Sequence, residues 1–144
     1  MKSKKLFYLL SVTWGLPMTL IGYIAAFCVM ATNPEIRPLK WGGCQYFVIG
    51  KNWGGVSLGT FIFVCRDYDD SLLNHEFGHA IQNCRYGPLF PFIVAIPSAT
   101  RYWYQEIVIR LGLKKQSELP EYDSIWFEKE ATDLGNENIK YWQN

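Results

Sequence analysis

Hydrophobic and polar residues fall along this chain in blocks. After the basic opening Met1-Lys-Ser-Lys-Lys5, no charged residue occurs until Glu35. Residues 6–31 are dominated by Leu, Ile, Val, Phe, Ala, Met, Tyr and Trp. As one helix they would extend ~39 Å at ~1.5 Å per residue, against a hydrocarbon core of ~30 Å. That is long enough to cross a bilayer, with tilt or a kink near Gly15 and Pro17. A cleavable signal peptide is the competing reading, because Lys2, Lys4 and Lys5 form a basic start and Val29-Met30-Ala31 resembles a cleavage site. The apolar core of such a peptide is typically ~7–15 residues, however, and this run is longer. The pattern therefore predicts an N-terminal transmembrane anchor over residues 1–34 and one domain over residues 35–144.

Within the domain, residues 44–50 and 59–65 are rich in aromatic and β-branched residues, as strands are. Lys51-Asn-Trp-Gly-Gly55 between them supplies turn chemistry, so the expected arrangement is an antiparallel hairpin. Residues 72–86 should form a helix, capped by Asp70 or Ser71 and ended by Gly87 and Pro88. Residues 88–99 are apolar but too few to span a membrane, and Pro91 and Pro97 interrupt them. With Arg101-Tyr-Trp-Tyr104 they predict a membrane-associated segment over residues 88–104. A polar loop over residues 114–122 and a helix over residues 123–141, with a break near Gly135-Asn136, complete an α+β fold. In it a small antiparallel sheet packs on the two domain helices.

Composition narrows the function. The 144 residues carry a formal net charge of +1, with 49% apolar and 19% charged residues. This excludes a basic nucleic-acid binder, a disordered charged tail and a coiled coil. Histidine is used only twice, as His75 and His79. Four cysteines are present without a CxxC pair. Cys44 and Cys65 flank the expected hairpin, either as a disulfide or as two free thiols.

His75-Glu76-Phe-Gly-His79 is an HExxH motif. Residues four apart share one helix face, so both imidazoles can bind one zinc while Glu76 faces the water to be activated. Leu73, Phe77, Ala80 and Cys84 give the helix an opposite apolar side. A catalytic zinc needs three protein ligands and an open position. The metzincin continuation would need glycine at position 82 and histidine at 85, where this chain has Gln82 and Arg85. The third ligand is then a carboxylate or a cysteine. In the last helix Trp126, Phe127, Glu130 and Leu134 share one side, which points to Glu130 as the ligand. Glu128 falls off that stripe. Ala131 and Gly78 would let the two helices approach closely. Asp133 is placed to accept an Nδ1–H from a ligand histidine.

His75-Glu-Phe-Gly-His79, followed about fifty residues later by Glu128-Lys-Glu-Ala-Thr-Asp-Leu-Gly135, resembles the gluzincin zinc metallopeptidases in a minimal membrane-anchored form. The resemblance implies His75, His79 and Glu130 as zinc ligands and Glu76 as catalytic base, acting on a peptide or protein substrate. It also implies a group that stabilises the oxyanion, for which Tyr122, Tyr86 and Arg101 are the candidates. Strand residues 60–64 offer an edge onto which an extended peptide could add. Two rivals remain open: an intramembrane protease of the site-two type, and a non-catalytic membrane protein with a structural zinc.

A three-ligand site also constrains topology. His75 and His79 precede the apolar segment at residues 88–99 and Glu130 follows it, so that segment must return to the side it left. The tight cluster of Lys2, Lys4 and Lys5 favours a cytoplasmic N-terminus and a zinc domain on the non-cytoplasmic side.

Overall fold

The computed structural model describes residues 1, 3–120 and 124–142. The N-terminal apolar run is two helices, not one. Helix α1 (Lys4–Val12) and helix α2 (Leu16–Thr32) meet at an angle of 87°, and no single helix among the described residues is long and apolar enough to cross a membrane. The break between them is a sharp corner, placed where Gly15 and Pro17 suggested a kink. The corner is held by the domain. Asn83 Nδ2 donates to the Gly15 carbonyl at 3.1 Å, and Ser11 Oγ lies 3.3 Å from Cys84 Sγ. Phe7 is fully buried between Phe77 and Trp142. Along α2, Met18, Thr19, Gly22 and Ala26 recur every three to four residues and are buried. At Gly22 a Cβ would stand 2.1 Å from the Leu58 carbonyl oxygen, so only glycine lets the helix lie this close to the sheet.

The sheet has four strands: β1 (Leu39–Trp41), β2 (Cys44–Val48), β3 (Gly55–Leu58) and β4 (Phe61–Val64), in the order β1-β2-β4-β3. The expected hairpin of residues 44–50 with 59–65 is not formed. Those two strands are parallel neighbours, with Gln45 opposite Phe61 and Val48 opposite Val64. An extra strand, β3, follows the expected turn at residues 51–55 and comes between the two in sequence, and the tight turns are Gly42-Gly43 and Gly59-Thr60. Gly42 and Gly59 there adopt positive φ, the conformation that glycine tolerates best. Both faces of β4 are covered, since Ile62 and Val64 pack under the helices while Phe63 stacks on Phe47 toward α2. That explains its unbroken apolar run. The parallel pairing also separates Cys44 and Cys65, one at each end of the ladder, and all four cysteines are free thiols.

Helix α3 (Asp70–Tyr86) starts at Asp69, whose side chain accepts from the Leu72 N–H at 2.8 Å, one residue before the expected cap. It ends at Gly87 with φ +53°, as expected. Next come a 3-10 turn (Gly87–Leu89), a π-helical turn (Pro91–Ala95) and helix α4 (Ile96–Arg110). Helix α5 (Trp126–Ile139) runs through Gly135 without the expected break.

Helices α3 and α5 are antiparallel and unusually close. A Cβ on Gly135 would stand 1.8 Å from the Asn74 carbonyl oxygen, and one on Gly78 would stand 1.8 Å from that of Ala131. One turn further, Gln82 Nε2 donates to the Phe127 carbonyl at 2.8 Å. The obstacle at Gly78 is backbone, which cannot swing aside. Gly78→Ala is therefore expected to destabilise the protein by about 3 kcal/mol in urea unfolding, while Glu137→Ala on the exposed side of α5 changes it by less than ~0.5 kcal/mol.

Candidate metal centre

The close contact of α3 with α5 brings three ligating side chains together. His75 Nε2 lies 3.1 Å and His79 Nε2 3.3 Å from the same Glu128 oxygen, Oε2. One donor atom from each residue falls within 4.8 Å of the others. Donors bound at ~2.0–2.1 Å around a tetrahedral ion stand about 3.3 Å apart, so these residues fit one divalent cation. All three are buried, and Glu128 is 0% exposed. A carboxylate wedged between two imidazoles in a protein interior is costly unless a cation joins them.

Each histidine is held by its far nitrogen. His79 Nδ1 is 2.8 Å from Gln82 Oε1, and His75 Nδ1 is 2.9 Å from Thr132 Oγ1. The Gln82 amide has no choice of orientation. Its Nε2 donates to the Phe127 carbonyl and to Glu130 Oε2, leaving Oε1 to accept from His79 Nδ1–H. With Nδ1 engaged in this way, Nε2 is the ring atom that faces Glu128.

Glu130, expected as the third ligand, is not at the histidines. Its carboxylate accepts from Gln82 Nε2, Tyr86 Oη at 2.9 Å and Arg85 Nη1 at 2.6 Å. It steadies the glutamine that steadies His79. The reason is helix rotation: Trp126 is 57% exposed, so the stripe drawn through it is not the inner one. The buried side runs through Phe127, Glu128, Ala131, Leu134, Gly135 and Asn138. Glu128 sits one turn before Ala131 and Thr132 one turn after Glu128. The small residues were the usable signal, because ligands from two helices must flank their point of closest approach. Asp133, expected to orient a histidine, is exposed, and Thr132 takes that position.

Glu76 is 4% exposed and points away from α5 toward strand β3, where a Cβ on Gly55 would stand 2.8 Å from its Oε1. Its Oε2 has no hydrogen-bond partner among the described residues. Glu76 and His79 line a cavity of about 290 Å³ between β3 and α4, with Ser57, Val94, Ser98 and Tyr102 among its walls. Strand β3 is the sheet edge bordering this cavity, whereas β4, expected to offer that edge, lies between β2 and β3. Tyr102 reaches across from α4, its hydroxyl donating to the Trp53 carbonyl at 2.7 Å.

Two of the three oxyanion candidates, Tyr86 and Arg101, are not brought to this cavity. Tyr86 donates to Glu130. Arg101 donates to Ser124 Oγ at 2.9 Å and to the Pro120 carbonyl at 3.3 Å, on the other side of α4. Tyr122 lies outside the described residues. Ser98 and Tyr102, one turn apart on α4, are the polar side chains that the sequence reading missed; nothing in their spacing marked them out.

Electrostatics divides the two glutamates. Burial pushes Glu128 up, but the His75 and His79 imidazoles and the Ser98 hydroxyl prevail and hold it well below the usual carboxylate range. For Glu76, burial prevails over the attraction of the histidines, and its pKa is raised. His79 is penalised by burial, yet Glu128 and Glu76 raise it overall. The two buried carboxylates are thus shifted in opposite directions by their surroundings.

The chain matches no protein-family model, no curated protein and no solved structure.

Proposed function

We propose that this protein is a zinc-dependent peptidase of gluzincin-like design, in which His75, His79 and Glu128 hold the metal and Glu76 is the general base. The observation that carries this reading is the unpaired Oε2 of the buried Glu76, on the cavity wall next to a three-donor cluster. Two imidazoles and one carboxylate suit zinc. When bound there, zinc lowers the pKa of water toward ~7 and polarises a carbonyl.

Glu76 accepts the proton of the attacking water and delivers it to the leaving amine, a task that its raised pKa suits. Gly55 keeps β3 close to Glu76, so an extended peptide lying along this edge would present its carbonyl beside the base. Thr132, Gln82 and Glu130 hold the ligand histidines in orientation.

A set of three donors, with no fourth His, Cys, Asp or Glu joining it among the described residues, supports a catalytic over a structural zinc. The exposure of Asp133 weighs against the site-two arrangement, which needs an aspartate ligand. A lipid bilayer remains the proposed location, through the apolar helices that flank the domain.

The test is hydrolysis of a fluorogenic peptide pool by the purified full chain. Activity should vanish on chelation and return with one equivalent of zinc. Tight zinc binding without any cleavage would make the site a structural one.

A further inference from the structure

Large apolar side chains are exposed in two places. Of the 24 that are exposed among the described residues, 20 lie in residues 6–30 and 89–113. Both stretches contain long charge-free runs: no Asp, Glu, Lys, Arg or His occurs between Lys5 and Glu35, or between Arg85 and Arg101. The two adjoin in space, because Met18 of α2 packs with Phe90 and Val94. Monomeric proteins rarely leave so much contiguous apolar surface in water.

What covers it is indicated by shape and charge. Helix α2 has 17 residues, about 25 Å, short of the ~30 Å hydrocarbon core. Its inner face is committed to the sheet, and its outer face, with Leu20, Ile24 and Phe27, points away from the domain. The corner between α1 and α2 is tied to α3 through Asn83 and Ser11, so straightening it would unpair buried polar groups. Cations border the apolar surface: Lys5 before it, Arg110, Lys114 and Lys115 at its end. Of the acids nearby, Glu106 pairs with Arg110 and Glu118 accepts from the Lys115 N–H, while Glu35 stands at the far end of the first run. With Arg110 paired, Lys5, Lys114 and Lys115 leave a basic rim that complements anionic headgroups.

We infer that α2 and the helical segment from Leu89 to Leu113 seat this protein in one leaflet of an anionic bilayer, without crossing it. Residues on either side of the corner then face the same aqueous phase. Trp103, 58% exposed, belongs both to this surface and to the cavity wall, so the cavity opens at the membrane boundary. If the peptidase reading holds, its substrates are chains lying at that boundary; the seating itself does not depend on that reading.

The test uses the full chain carrying Lys5→Cys, Glu35→Cys and Cys28→Ser, the other three cysteines being buried. It is reconstituted into sealed vesicles of phosphatidylcholine with phosphatidylglycerol and treated with a membrane-impermeant maleimide. Flotation with the vesicles, and molecules carrying two labels or none, are expected. Molecules with one label each would mean that the corner crosses the bilayer, and would overturn the inference. Phe27→Glu and Phe92→Glu, each checked for native circular dichroism, should each lower the vesicle-bound fraction at least about tenfold. A protein that stays off vesicles, as a monomer or as a dimer broken by Phe92→Glu, would overturn it equally.

Discussion

Glu76→Gln should reduce peptide hydrolysis by about 10²–10⁴-fold, the usual contribution of a general base, with zinc content unchanged. The separation of these two readouts is the point. Glu76 lines the cavity but is not among the three clustered donors, and its Oε2 has no hydrogen-bond partner to lose among the described residues. The amide is nearly isosteric with the carboxylate, so packing against Gly55 is retained. What disappears is the ability to take a proton. Peptide hydrolysis assays beside metal analysis of the same preparation decide the matter. Undiminished activity would remove Glu76 from the mechanism, and loss of metal would make it a ligand.

Glu128→Gln should weaken zinc binding by more than the ~10–100-fold typical of losing a partner behind a ligand, whereas Glu130→Gln should stay within that range. Glu128 Oε2 is shared by both histidines at 3.1 and 3.3 Å, and the neutral amide would leave two imidazoles to hold a dication. At Glu130 the loss is indirect. The Arg85 ion pair goes, but Gln82 keeps its bond to the Phe127 carbonyl and can still accept from His79. Competition with a calibrated chelator measures both. Equal affinities for the two variants would refute the ligand assignment made from geometry.

The HExxH helix was legible in the sequence because its signals are local. Gly87 and the four-residue spacing of the histidines act within one or two turns, and the cap was missed by a single residue, at Asp69. The role of Gly78 and Ala131 as a close contact could also be foreseen, since small residues face one another where helices touch. The rotation of α5 could not be read from apolar residues alone. Trp126 is exposed and Glu128 buried, the reverse of their ordinary preferences, because the buried side is chosen by the fit of Ala131 and Gly135 to α3. The sheet was misjudged for a similar reason. Whether two strands pair parallel or antiparallel depends on what lies between them, and Gly55–Leu58 is too short and glycine-rich to announce a strand. The corner at Gly15 depends on Asn83, 68 residues away.

The pairing of His75 and His79 with Glu128 has a consequence for the unfolded chain. An ion held by all three closes a loop of about fifty residues, and in a protein whose cysteines are all free thiols it takes the place of a covalent bridge. Restricting so long a loop in the denatured ensemble is worth on the order of 4 kcal/mol for a disulfide, and a metal clip draws on the same entropy. The enclosed stretch contains the whole apolar helical run from Pro91 to Arg110. That run therefore lies inside a loop that a single ion would close, in addition to the packing of Val94 on Met18 and the bond from Tyr102 to the Trp53 carbonyl that dock it on the domain.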